Sequence, residues 1–209
     1  MRTRSPDRLQ SKIIVASFIV SATSLFLAPP LMPEPYSWIT HTISESAAQG
    51  VDGAWLARFG FTMFGLAVIW LATVERHRWG RLGSAVHGAF GVSMFAIALF
   101  SHRPFQEDVP FDVVEDTVHS AAATAVGFAF AFGVLAVALR LRHTGGGVRF
   151  RDVVALMASV VIPMGMTVWP ELAGLLQRGM FLIAYVWYLS EASEQGHERK
   201  MNHPLPSIE

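Results

Sequence analysis

The run AWLARFGFTMFGLAVIWLATV, residues 54–74, decides the fold class of this chain. An α-helix needs about 20 apolar residues to cross the roughly 30 Å of hydrocarbon in a bilayer, and Arg58 is the only charged residue in this run. Further stretches share its length and apolar character: about Ser11 to Ala28, Leu82 to Ser101, Asp116 to Leu139, Asp152 to Trp169 and Pro170 to Ala192. We therefore predict an all-α fold, a polytopic membrane bundle of six transmembrane helices.

Composition points to the same class. Of the 209 residues, 52% are hydrophobic and 15% are charged, whereas soluble proteins carry about 25% charged residues. Basic and acidic residues balance to a formal net charge of zero, which offers no bulk attraction to nucleic acid. The chain has no cysteine, so a disulfide scaffold, a thiolate metal site and a Cys nucleophile are excluded. We expect membrane lipids as partners, no nucleic acid and no cofactor.

The distribution of Lys and Arg predicts the orientation, because basic residues are retained on the cytoplasmic side of a membrane. With a cytoplasmic N-terminus, most of the 16 basic residues fall on the inner side: Arg2, Arg4, Arg8, Lys12, Arg76, Arg78, Arg81, Arg140, Arg142, Arg149, Arg151, Arg199 and Lys200. Arg58, Arg103 and Arg178 remain outside or in the outer half of a span. Both termini are therefore predicted to be cytoplasmic.

This orientation divides the chain into a cytoplasmic segment 1–11, a six-helix transmembrane domain 12–192 and a polar cytoplasmic tail 193–209. A basic segment before a short apolar run is also typical of a cleaved signal peptide. Pro29 directly after Ala28 makes a poor cleavage site, so we expect the first span to be retained as a helix.

Arg178 is the charged residue that lies deepest in a predicted span. It follows Pro170 by eight residues, which is roughly 12 Å of helix at about 1.5 Å per residue. A central Arg costs about 2.5 to 3.5 kcal/mol, so it needs a partner or a wet cavity. Glu171 lies on nearly the same face, and two interpretations stay open: a structural ion pair, or contact with a ligand. Arg58 is shallower and would reach the interface by itself or join such a site.

Asp112, Asp116 and His119 are spaced i, i+4 and i+7 at the start of the fourth span, so they would share one helix face. A carboxylate one turn away orients a histidine ring, as a general base or a metal ligand requires. Asp116 is equally suited to cap the helix N-terminus. The catalytic candidates are therefore Glu45, His119 and Asp116, and the alternative is an interfacial histidine beside a cap.

The outer loops supply further polar residues. His41 and Glu45 would share a face in a short helical turn, and with His102 and His119 they suggest a metal site whose candidate ligands are His41, His102 and His119. The pattern is weak, because no two histidines show the i, i+4 spacing of a zinc-binding helix. The alternative is that these loop residues pair with Arg58 or Arg178.

His87 lies in the inner half of the third span, among Gly83, Ser84 and Gly88. Such small residues permit close approach of helices in a membrane. We expect this histidine to form a hydrogen bond to a neighbouring helix and not to bind haem.

Several runs together resemble the bacterial and archaeal membrane family catalogued as domain of unknown function 998. These runs are ISE at 43–45, WLARFGF at 55–61, VHSAA at 118–122 and LLQR at 175–178, followed by Trp187. Their order and spacing resemble that family over about Lys12 to Ala192. The resemblance implies a six-helix protein of a bacterial or archaeal plasma (inner) membrane.

The resemblance also implies an outer-side polar cluster, which maps to Ser44, Glu45, His119, Gln177 and Arg178. With Arg58, these are the predicted ligand-binding residues. The family often has an Asp shortly after a Phe-Pro pair at the end of the third span, whereas this chain has FSHRP at 100–104. Asp112 or Asp116 would then have to supply the carboxylate.

Three classes of function fit these residues. We favour a binding or structural role, in which the cluster binds a lipid head group or small anion, or the protein serves as a homo-oligomer or an accessory subunit of a membrane complex. The alternative is a membrane-embedded, metal-dependent lipid hydrolase resembling the ceramidase-like enzymes, in which metal-bound water attacks the lipid. A small transporter is the third class, although no inverted repeat is evident. Whether the protein is an enzyme stays open at this point.

Overall fold

The structure, a computed structural model, describes residues 8–106 and 109–202. Its long helices are α1 (Arg8–Leu27), α2 (Ala54–Val74), α3 (Arg76–Leu99), α4 (Val113–His143), α5 (Phe150–Val168) and α6 (Ala173–Asn202). All six are long and apolar enough to cross a membrane, and the described residues contain no strand. The predicted fold class, an all-α bundle of six membrane-spanning helices, is confirmed.

The helix boundaries follow local chemistry. α1 ends just before Pro29 and Pro30, since proline cannot continue the backbone hydrogen bonding of a helix interior. α3 begins before the predicted Leu82, and Gly80 interrupts it with φ 75° and ψ 174°. This backbone conformation is open to glycine at little cost, so the polar residues 76–79 form a separate first turn.

Some predicted segments extend beyond the described part of the chain. α6 continues past Ala192 to Asn202, through much of the segment predicted as a polar tail. Residues 1–7 of the predicted N-terminal segment and residues 203–209 of the predicted tail lie outside the described residues. The same holds for Glu107 and Asp108 of the acidic second loop.

The six helices form a closed ring. Each helix packs against the next in the chain, and α6 closes the ring against α1. We call the end where α1 begins, α2 meets α3 and α4 connects to α5 the basic end. The opposite end is the loop end. It holds the first loop (residues 28–53), the described part of the second loop (residues 100–106 and 109–112) and residues 169–172.

Aromatic side chains of α6 occupy the centre of this ring. The ring of Tyr188 lies within 6 Å of rings on four other helices, namely Phe18 of α1 at 5.7 Å, Phe64 of α2 at 5.7 Å, Phe90 of α3 at 5.4 Å and Phe130 of α4 at 5.8 Å. Trp187 reaches the fifth, because its Nε1 donates a hydrogen bond to Asp152 of α5 at 2.9 Å. α6 is therefore the packing hub of the bundle.

Candidate functional site

Arg178 fastens the first loop to α6. Its Nη1 donates to the backbone oxygens of Trp38, His41 and Gly174 at 2.6, 2.9 and 2.9 Å, and its Nη2 donates to the Tyr36 hydroxyl at 2.7 Å. The side chain is buried, and it forms no ion pair with any acid of the described residues. Carbonyl oxygens and one hydroxyl thus solvate this deep charge, and Glu171 is not its hydrogen-bonding partner.

The contact with Arg178 affects the pKa of the Tyr36 hydroxyl. Burial raises the pKa of Tyr36, whereas the charge and hydrogen bond of Arg178 lower it, and the net direction is upward. The ring stacks on His41 at 5.3 Å and meets Phe105 of the second loop at 5.2 Å. Tyr36 therefore stays protonated and joins both loops to Arg178.

Other predicted ligand-binding residues also hold the first loop. Arg58 donates to the carbonyl oxygens of Ala47 and Ala48 at 3.1 and 2.8 Å, and the Gln177 Oε1 accepts from the Ile43 amide at 2.6 Å. The Glu45 carboxylate accepts from the amide and hydroxyl of Thr42 at 2.6 and 2.8 Å. Ser44 is buried directly before the Glu45–Ala47 turn. These side chains thus hold the first loop at several points, and the groups with which they would bind a ligand are bonded to the loop backbone.

His119 lies on the other side of the loop end. Its Nδ1 is 2.8 Å from the Phe100 carbonyl oxygen, and because a carbonyl only accepts, Nδ1 carries the proton. The Nε2 of this buried ring then presents a lone pair, and no hydrogen-bond partner for it is found among the described residues. The His102 ring lies 5.3 Å away, edge to face. His119 is therefore held in one tautomer, with the backbone of Ile97 as a further neighbour of the ring and no bonded partner at Nε2 among the described residues.

The acidic side chains near His119 accept hydrogen bonds from backbone amides. Asp112 caps α4 by accepting from the Val114 and Glu115 amides at 2.7 and 3.1 Å, so the capping residue lies one turn before Asp116. Asp116 accepts from the Arg103 amide at 2.8 Å, and its Oδ1 is 3.9 Å from the His102 Nε2. The carboxylate next to His119 is thus engaged with the second loop.

The three candidate metal ligands do not form one donor set. His41 accepts from the Ser37 amide at 2.8 Å through Nδ1 and stacks against Tyr36, whereas His102 and His119 pair with each other. Within the described ranges, no group of three His, Asp or Glu side chains is arranged to hold a metal ion. Glu45 and Arg178 are joined by hydrogen bonds, because the Tyr36 hydroxyl that accepts from Arg178 donates to the Thr42 carbonyl oxygen at 3.0 Å, and Thr42 donates to Glu45. His119 bonds separately, to Phe100.

The sequence interpretation missed a buried ionic cluster at the basic end. Glu191 of α6 is fully buried. Its two carboxylate oxygens accept from Arg78 at 2.6 Å, Trp79 at 2.7 Å, Arg149 at 2.6 Å and Arg151 at 3.0 Å. These donors come from the start of α3 and the start of α5, so one carboxylate ties three helices together.

Further acids complete this cluster. Asp152 accepts from the Arg149 Nε and Nη2 at 2.7 and 2.8 Å, and from Trp187. Burial lowers the pKa of Arg149, but the bond to Asp152 and the charge of Glu191 outweigh it, so the pKa is raised. Glu75 binds Arg78 at 2.5 Å, and Glu194 binds Arg78 and Arg151. One sequence feature could have revealed this cluster: four acids lie near span ends on the arginine-rich side, namely Glu75, Asp152, Glu191 and Glu194.

His87 lies just inside this cluster. Its Nδ1 is 2.8 Å from the Tyr188 hydroxyl, and its ring stacks on Trp187 at 4.9 Å. The predicted hydrogen bond to a neighbouring helix is confirmed. Gly133 of α4 leaves the space for this ring, because a Cβ there would lie 2.6 Å from the His87 Cε1.

An apolar pocket opens in the middle of the bundle wall. Its cavity volume is about 40 Å³. It is lined by Val126, Gly127 and Phe130 of α4, Ser159 and Pro163 of α5, and Met180, Phe181 and Ala184 of α6, with Phe64 and Phe90 also in the lining. Ser159 is its one hydroxyl-bearing residue, and that hydroxyl donates to the Ala155 carbonyl of its own helix. The pocket therefore presents only hydrocarbon and aromatic surface.

Six spanning helices around an aromatic core define a multi-pass membrane protein. The chain belongs to the family described as protein of unknown function (DUF998), whose profile matches residues 14–193. The resemblance found in its short sequence runs is thereby confirmed. No curated protein and no solved structure matches the chain.

Proposed function

We propose that this protein binds a membrane lipid and holds one of its hydrocarbon chains in the pocket between α4, α5 and α6. The observation that carries the proposal is the lining of that pocket, in which Ser159 is the one polar residue. Ligand sites are concave, mostly apolar and often lie between the helices of bundles. Within a membrane-spanning bundle, the abundant ligand for such a surface is a lipid tail.

The depth of the pocket supports a lipid of the leaflet at the loop end. Pro163 lies five residues before the end of α5 at Val168, and Met180 lies seven residues after the start of α6 at Ala173. At about 1.5 Å per residue these positions are roughly 8 and 10 Å below the loop end. The hydrocarbon core extends about 15 Å on each side of its midplane, so a chain anchored at the loop end would reach the pocket.

The hydrogen bonds at the loop end limit which residues can bind the head group of the lipid. Arg58 and Arg178 were predicted to bind a phosphate or carboxylate. However, Nε and Nη2 of Arg58 and both terminal nitrogens of Arg178 already donate to protein oxygens. This geometry supports recognition of the lipid mainly by its tail, with the clamped loop acting as a rigid rim.

The test compares two glycines in membrane-spanning helices. A Cβ at Gly127, in the pocket, or at Gly88, outside it, would meet no atom within 4 Å. Gly127→Leu should fill the pocket, whereas Gly88→Leu gains the same helix propensity and apolar bulk elsewhere. Native mass spectrometry of the purified protein should find a retained phospholipid in the wild type and in Gly88→Leu, and its loss in Gly127→Leu. Equal retention in all three would contradict the proposal.

A hydrolase is the second candidate, and the free Nε2 of His119 favours it. A buried histidine with a fixed tautomer and an unpartnered acceptor nitrogen is suited to take a proton from water. The test is release of fatty acid from phospholipid vesicles or ceramide by the purified protein, with His119→Gln as the variant. Hydrolysis that the variant abolishes would support this function, and absence of hydrolysis by the wild type would exclude it for these substrates.

A further inference from the structure

The basic end holds arginines of two kinds. Arg78, Arg149 and Arg151 are partly buried and share the four carboxylates of Glu75, Asp152, Glu191 and Glu194. Arg76, Arg81, Arg140 and Arg142 are exposed, and none of them pairs with an acid whose side chain is described. Among the described side chains, the acids of this end bond to the inner arginines, and no salt bridge joins one of them to Arg76, Arg81, Arg140 or Arg142.

One of these outer arginines, Arg140 of α4, reaches the backbone beside another, Arg81 of α3. Arg81 follows Gly80, and a Cβ at Gly80 would lie 3.6 Å from both Cδ and Nε of Arg140. The side chain of Arg140 thus crosses from α4 to the break in α3. Since Gly80 has no side chain, the Arg140 side chain comes close to the backbone directly before Arg81, so the charges of both residues belong to the same end of the α3–α4 surface.

The same surface borders hydrocarbon. Leu82, next to Arg81, is 70% exposed, and Leu139, next to Arg140, is 49% exposed. Both belong to helices that span the membrane, so these leucines face lipid tails. Arg81 and Arg140, which directly adjoin these leucines in sequence, are then expected at the level of the lipid phosphates.

We infer that Arg81 and Arg140, with Arg76 and Arg142 beside them, form a binding site for the phosphate group of an anionic phospholipid. The guanidinium fork matches phosphate oxygens in geometry and charge, and basic surfaces between spanning helices are suited to acidic lipid head groups. The surface is open to the bilayer, and its positive charge is not compensated by the acids described. This site goes beyond the tail pocket, because it lies at the opposite end and selects by charge.

The experiment measures lipid selectivity of the full-length protein. The wild type is extracted from bilayers of mixed phosphatidylglycerol and phosphatidylcholine, and the ratio of the two co-purified lipids is compared with their ratio in the bilayer. The test variant is Arg81→Gln/Arg140→Gln. The control is Arg103→Gln, which removes an exposed arginine at the loop end. Thermal unfolding of each variant establishes that it is folded.

Phosphatidylglycerol should be enriched in the wild type and in Arg103→Gln. Each arginine near an anionic surface contributes about 1 kcal/mol, so enrichment should fall about fivefold for each one removed. Raised ionic strength should release phosphatidylglycerol from the wild type, which keeps the test valid if the double variant does not fold. Absence of enrichment in the wild type, an equal loss in Arg103→Gln or a salt-independent ratio would overturn the inference. Filling the tail pocket at Gly127 should leave this ratio unchanged, so the two proposals fail separately.

Discussion

Glu191 of α6 and Arg149 at the start of α5 are joined by an ion pair of 2.6 Å whose acidic partner is fully buried. The same carboxylate also binds Arg78 and Trp79 of α3. Because its partners come from separate helices, this residue fixes the positions of α3, α5 and α6 at the basic end.

Replacing Glu191 by Gln should destabilise the protein strongly. The amide retains the shape but removes the fully buried charge that Arg78, Arg149 and Arg151 share, and breaking a buried ion pair costs about 3–5 kcal/mol. The control is Glu194→Gln, since that side chain is 40% exposed and exposed pairs contribute about 0–1 kcal/mol. Thermal unfolding of both variants in detergent measures the difference. Similar losses would show that burial does not set the importance of Glu191.

Gly133→Ala should also be destabilising. Its new Cβ would lie 2.6 Å from the His87 ring, which is fully buried between Trp79 and Trp187. Overpacking of this kind costs about 1–3 kcal/mol. Gly127→Ala on the same helix meets no atom within 4 Å and should leave the unfolding temperature unchanged or raise it. The prediction fails if the two alanine variants unfold alike.

Arg178→Lys should loosen the first loop without removing the charge. Lysine lacks the planar fork with which Arg178 reaches three carbonyl oxygens and a hydroxyl. Hydrogen exchange should quicken at the amides of His41, Gly174 and Leu175, which bond within the clamped region. Arg58→Lys is the control, because Arg58 binds a different part of the same loop at Ala47 and Ala48. Unchanged exchange in Arg178→Lys would show that its contacts do not hold the loop.

Tyr36 should make the stability of the loop end depend on alkaline pH. Its pKa is raised by burial in the folded state, so the folded form holds its proton more tightly than the unfolded chain does. The resulting stability is present below the ordinary value near pH 10 and is lost as the pH rises through the raised pKa. The stability difference between wild type and Tyr36→Phe should therefore shrink above about pH 10. A difference that is constant with pH would contradict this linkage.

The six spans were predictable because each depends on local composition. The bounds of α2 agree with the prediction at Ala54 and Val74, since a small polar loop precedes it and a charged turn follows. α3 was predicted to start at Leu82, because hydropathy does not report the polar helical turn before Gly80. Orientation in the membrane stays a prediction from the distribution of basic residues.

Contacts between residues that are distant in sequence were harder to predict. Asp152 and Glu191 are far apart in sequence, and their shared partner Arg149 resembles an ordinary cytoplasmic arginine. Conversely, the depth of Arg178 was correctly taken as unusual, but its partners are backbone carbonyl oxygens, which carry no residue signature. The pocket is lined jointly by α4, α5 and α6, so no pattern in one helix encodes it.

The most direct test of the proposed lipid site is photo-crosslinking of the wild-type protein in bilayers whose phospholipid carries a diazirine near the middle of one chain. Binding in the pocket predicts crosslinks concentrated on Gly127, Pro163 and Met180. Labelling spread evenly over the outer surface, with Val92 and Phe132 as reactive as the pocket, would contradict it, since both are exposed side chains outside the pocket.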